Sequence, residues 1–183
     1  MNRSLFLMAA SAALVFGANA PPASIGKVLD DQLRSAEHEI VSLAEAMPAD
    51  KYGFRPTGGE FKNVRTFSLQ MSHIAAVLYE VSAGALGEKN PSEIGKDENG
   101  PASLKGKEAV VKYMKDAFAY SHKATSAVTT ANAMDMMPSP FGGGKISRID
   151  LVTTLASHSF DHYGQAVVYA RMNGVVPPAS RGQ

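Results

Sequence analysis

The 183-residue sequence has no cysteine and no tryptophan. Without cysteine there is no disulfide, no thiolate metal site, no lipid-anchoring lipobox and no sulfur nucleophile. Any metal must be held by His, Asp or Glu. A charge bias is missing too: 18 basic residues face 17 acidic ones, and neither sign clusters. That argues against nucleic acid as a partner. No apolar run reaches the ~20 residues that a spanning helix needs. The longest, "SLFLMAASAALVFG", follows Arg3 and precedes Ala18-Asn19-Ala20. A basic start, an apolar run and a small-x-small end read as a secretory signal peptide over residues 1–20, cleaved to leave Pro21 first. The expected product is exported, periplasmic or secreted, with no stable membrane anchor after cleavage. One domain is expected over residues 21–183, about 160 residues, enough to bury a core without staples.

Four long helical periodicities fill that domain, and no convincing strand pair accompanies them. The first runs from about Ser24 to Met47, with Leu29, Leu33, Ala36, Ile40 and Leu43 at helical spacing. The second runs from about Val64 to Leu86, with Gly87 as its C-terminal cap. The third runs from about Lys105 to Ala133, with Ser103 available as a cap. The fourth opens on the Ser147-x-x-Asp150 capping pattern and continues to Asn173, with Gly174 after it. The loop "MDMMPSPFGGGK" is apolar and glycine-rich, suited to covering a cavity. The tail "VVPPASRGQ" should run extended. These features predict an all-α four-helix bundle.

Histidine is scarce, five in all, yet two stand four apart in "ASHSFDHYGQ". His158 and His162 therefore share one face of the fourth helix, on a stripe with Leu151, Leu155, Gln165 and Tyr169. Two imidazoles in a core need two sets of polar partners, since burying unpaired polar groups is costly. One divalent cation satisfies both, and His-x-x-x-His on a helix is a recurrent way to hold zinc. A third ligand must come from elsewhere. His38 falls off its helix's apolar face and reads as solvated. His122 lies at the flank of the third helix's apolar face. His73, in "LQMSHIAAVL", sits beside Leu69, Ala76 and Val77. Spacing leaves His73 and His122 both open.

Two longer pieces carry a resemblance. "YGFRPTGGEFKNVRTFSLQMSHI" and "HSFDHYGQAVVYARMNGVVPPAS" resemble the Phe-x-Pro loop and closing helix of the DinB/YfiT-like superfamily of small metalloproteins. The resemblance implies an antiparallel four-helix bundle with an unusual helix order and a long second connection. It implies metal ligands at His73, His158 and His162, and zinc or nickel as the ion. Homodimers are common in the family, and some members transfer thiols using a low-molecular-weight thiol. Those relatives work in the cytoplasm, and export into an oxidising compartment argues against that activity here.

Three neutral imidazoles leave a divalent cation its charge and an open position, whereas structural sites are closed by four protein ligands. Asp161, about 60° from His158 around the helix, is the candidate catalytic or supporting carboxylate. Gln165 and Tyr169 are candidate pocket residues. The expected function is a metal-dependent hydrolase or transferase of a small molecule. The alternatives are a non-catalytic periplasmic metal- or small-ligand-binding protein, or a bundle in which a metal only pins helices.

Overall fold

The computed structural model describes residues 23–181; the signal-peptide reading of residues 1–20 lies outside them. Four helices form α1 (Ile25–Ala46), α2 (Phe67–Leu86), α3 (Gly106–Ser126) and α4 (Arg148–Met172). Among the described residues no helix is long and apolar enough to cross a membrane. The all-α expectation holds, with one small addition. Met136–Pro138 (β1) and Lys145–Ser147 (β2) pair antiparallel, Met137 opposite Ile146.

Local side chains cap three of the four helix N-termini. Ser24 accepts the Lys27 N–H and Ser147 accepts the Asp150 N–H, so both act as N-caps. Gly87 closes α2 with φ 71°, a left-handed turn that a side chain disfavours. Three boundaries differ from expectation. α2 starts at Phe67 rather than Val64, because the Thr66 hydroxyl accepts the Leu69 N–H. α3 has no side-chain cap at Lys105, so Ser103 does not serve there. It also ends at Ser126, well before Ala133. Asn132 accepts from Thr129 N–H and donates to the Ala127 carbonyl, closing a turn that competes with the helix. The tail is not wholly extended, since Pro178–Ser180 makes a 3-10 turn.

The helices pair antiparallel as α1 with α3 and α2 with α4. Asp30 meets His122 across the first pair; Gln70 meets Gln165 and the Ala85 carbonyl meets Arg148 across the second. At one end of the bundle Tyr52 bonds the Ala44 carbonyl and packs edge-on against Phe67. Lys107 donates to the carbonyls of Glu45 and Met47 at the same end. Hence α2 and α3 both start there and run parallel, and residues 87–105 carry the chain back along the bundle. α2 is the central element, buried on most sides, with Phe67, Met71, Ile74 and Leu78 packed among Leu33, Ile40, Phe118, Leu151 and Leu155. Removing one such side chain to Ala costs about 2–5 kcal/mol.

Candidate metal centre

Three imidazoles meet between α2 and α4. His73, His158 and His162 each offer a ring nitrogen, and the three nitrogens lie within 4.8 Å of one another. Ring centroids are 4.6 Å apart for His73 and His162, 4.5 Å for His158 and His162, and 5.1 Å for His73 and His158. The pair on α4 is one helical turn apart, as the spacing required. His73 completes the group because α2 crosses α4 at that level. His73 and His162 are buried and His158 is partly buried.

Hydrogen bonds fix which nitrogen each ring presents. His73 Nδ1 lies 2.9 Å from the Glu98 carbonyl oxygen, which can only accept, so Nδ1 carries the proton. His162 Nδ1 lies 2.9 Å from Gln70 Oε1, and Gln70 in turn donates to Gln165 Oε1 at 2.8 Å. Both Nε2 lone pairs are thereby left for a ligand. His158 makes no hydrogen bond to a described residue. Burial lowers the proton affinity of His73. Burial, then the other two imidazoles, pushes His158 down to about 4; burial, then His73, does the same to His162. Asp161 opposes these shifts on the α4 pair, and Arg65 adds to all three. The rings are neutral at pH 7, the state in which imidazole binds metal.

The donor set fits a divalent ion. Zinc bonded to three imidazoles at about 2.1 Å holds their nitrogens roughly 3.4 Å apart. The three nitrogens, within 4.8 Å of one another, lie close to that spacing.

The other sequence candidates fall in different places. Asp161 is exposed and receives a long bond from Gln165 Nε2, 3.4 Å, rather than a ring N–H. Gln165 lines a cavity beside the triad. Tyr169 is buried, and its hydroxyl donates to the Arg65 carbonyl at 3.2 Å. His38 is exposed. His122 is far from the triad in function: Nδ1 sits 2.6 Å from Asp30 Oδ1 and Nε2 3.0 Å from Glu37 Oε2. The glycine-rich loop does not cover the histidines. It packs on the far half of α2, Pro140 against Gly84 and Met137 against Gly87, and walls a separate cavity of about 810 Å³.

Sequence reasoning missed Gln70, Glu98 and Arg65. Gln70 left a signal, since it precedes His73 by three positions and so shares its face. Glu98 and Arg65 left none. Glu80, two turns beyond His73 on α2, was also missed. Its Oε2 is buried without a hydrogen-bond partner, and burial, then Glu98, raises its proton affinity.

The family model of the DinB superfamily matches residues 32–166, a span that holds all of the triad. The chain belongs to the DinB superfamily. Solved structures agree on the fold. A DinB-like protein from Bacillus cereus superposes with a TM-score of 0.66 at 18% identity, covering 83% of this chain and 95% of that one. A conserved protein from Enterococcus faecalis gives 0.66 at 13% identity, covering 82% and 98%. A DinB-like protein from Bacillus subtilis gives 0.57 at 16% identity, covering 80% and 92%. No curated protein matches the chain. The DinB fold here brings three histidines from two helices into one cluster able to hold a metal ion.

Proposed function

We propose that this DinB protein is a metal-dependent hydrolase or transferase acting on a small molecule, with zinc or nickel held by His73, His158 and His162. The observation that carries it is the composition of the cluster. It has three neutral imidazoles, two of them locked with Nε2 outward, and no fourth ligand joins them among the described residues. Bound there, the ion supplies Lewis acidity and eases ionisation of a ligated water or thiol. The chain supplies the rest. Glu98 and Gln70 hold two rings in the tautomer that binds, and the packing of α2 against α4 keeps water from the buried side. Export rests on the N-terminal pattern, and its test is the intact mass of protein from a secreting host, expected to start at Pro21.

Metal analysis of the purified protein tests the centre, followed by cobalt substitution. About one ion per chain is expected, with a visible spectrum that changes on adding azide. A metal-free protein that fails to take up cobalt, or a cobalt spectrum indifferent to azide, would overturn the proposal.

A further inference from the structure

A polar cavity of about 390 Å³ adjoins the triad, lined among others by Asn63, Arg65, Gln70, Asn99 and Gln165. Gln70 is the shared wall, bonded to His162 on one side and to Gln165 on the other. Arg65 is held in place at both ends. Its Nε donates to Asn99 Oδ1 at 2.8 Å and its Nη2 to the Asp97 carbonyl at 3.1 Å. Its own carbonyl accepts from Tyr169. The remaining N–H groups of the fork are uncommitted, and Arg65 makes no ion pair with a described residue. A guanidinium braced on two neutral oxygens, with no carboxylate in direct contact, keeps its charge available to an anionic ligand.

The backbone around it is strained as well. Among the described residues, Asn63, Asp97 and Glu98 are the non-glycine positions with φ in the left-handed region, at 69°, 53° and 55°. All three border this cavity or the histidine next to it. Strain of this kind clusters where a site must be held in shape.

We propose that Arg65 anchors the carboxylate of a small, singly charged substrate whose reacting group reaches the triad. A planar fork matches a carboxylate in two parallel hydrogen bonds, and the side-chain amides of Asn63 and Gln165 add donors at the rim. With a divalent ion in place, its charge and that of Arg65 are balanced by Asp97, Glu98 and Asp161, so no excess positive charge remains to favour a phosphate dianion over a carboxylate. The inference rests on the metal reading and names the substrate class of that same site.

The test uses the cobalt-loaded protein and two thiols that differ at one end, 3-mercaptopropionate and 3-mercaptopropan-1-ol, titrated by visible spectrum. The carboxylate should bind about tenfold tighter, the scale of one charge-assisted hydrogen-bonded pair. In Arg65→Met the two affinities should become equal, with cobalt content and the azide response unchanged. Arg65→Gln, whose amide still reaches Asn99, serves where the Met variant does not load cobalt, and must lose the preference too. Equal affinities in the unmodified protein, or a preference that survives both substitutions, overturn the anchor and leave the metal centre standing. A spectrum silent to azide and to both thiols overturns the metal reading itself.

Discussion

Replacing Gln70 by Leu should weaken zinc binding by about 10–100-fold, the range seen when an outer-sphere partner of a ligating histidine is removed. Gln70 is 3% exposed, and leucine is close to it in volume, so packing changes little. What goes is the acceptor 2.9 Å from His162 Nδ1. An unpaired buried donor costs about 1–3 kcal/mol. The ring can escape that cost by moving its proton to Nε2, the nitrogen a metal needs, so binding must then reverse the move. Tenfold to a hundredfold is about 1.4–2.7 kcal/mol, which matches the cost of the orphaned donor. Gln165 is exposed, so losing its bond to Gln70 adds little. Competition with a chromogenic chelator at fixed pH measures the affinity, and thermal unfolding of the metal-free protein checks the fold. Gln70→Glu keeps an acceptor and should keep most of the affinity. If the Leu variant bound zinc within about twofold of the unmodified protein, the tautomer argument would be wrong.

His73→Ala, His158→Ala and His162→Ala should each abolish stoichiometric zinc at micromolar protein, while His38→Ala, on an exposed side chain, should not; mass spectrometry under native conditions reads both. His122→Ala should keep zinc but lower stability by about 1–3 kcal/mol, since it strips Asp30 of a partner. Burial pushes that carboxyl up, and Thr125, His122 and Arg34 together outweigh burial and hold it below its usual range; chemical denaturation measures the loss. The metal-free protein should lose stability as pH falls from about 6.5 towards 4. His158 and His162 sit at about 4 when folded, so over that window the unfolded chain takes up more protons and is favoured. A His158→Gln, His162→Gln double variant should show a flatter pH profile, and an equally steep one refutes the assignment. Gly26→Ala should destabilise, because a Cβ there would meet the carbonyl oxygens of Val128 at 2.8 Å and Thr125 at 2.9 Å; thermal unfolding reads it.

What the sequence made legible was local. The helix stripes and the Ser147 and Gly87 caps are interactions within a few residues, and each is visible as a spacing. The hairpin was not, because strands of three residues are too short to show a period of two. His158 and His162 were legible for the same reason as the helices. His73 was not separable from His122 by spacing, and only the resemblance chose between them. The structure shows why. What distinguishes His122 is Asp30, 92 positions away, and what distinguishes His73 is a carbonyl 25 positions away on the connection after α2. Neither partner leaves a mark near the histidine itself.

The long second connection links the fold to the site. Because α2 and α3 run parallel, the chain must return the length of the bundle between them. An antiparallel neighbour would need only a short turn. That return path lies over the first half of α2, where Gly100 approaches so closely that a Cβ would sit 3.2 Å from Ser72 Cβ. It delivers the Glu98 carbonyl to His73 and Asn99 to Arg65. A simple up-down bundle with the same four helices would still align His158 with His162, but it would leave His73 Nδ1 without its acceptor and Arg65 without its brace. The helix order therefore fixes the tautomer of one histidine of the triad and the position of the Arg65 guanidinium beside it. Shortening this connection should damage the site before it damages the core.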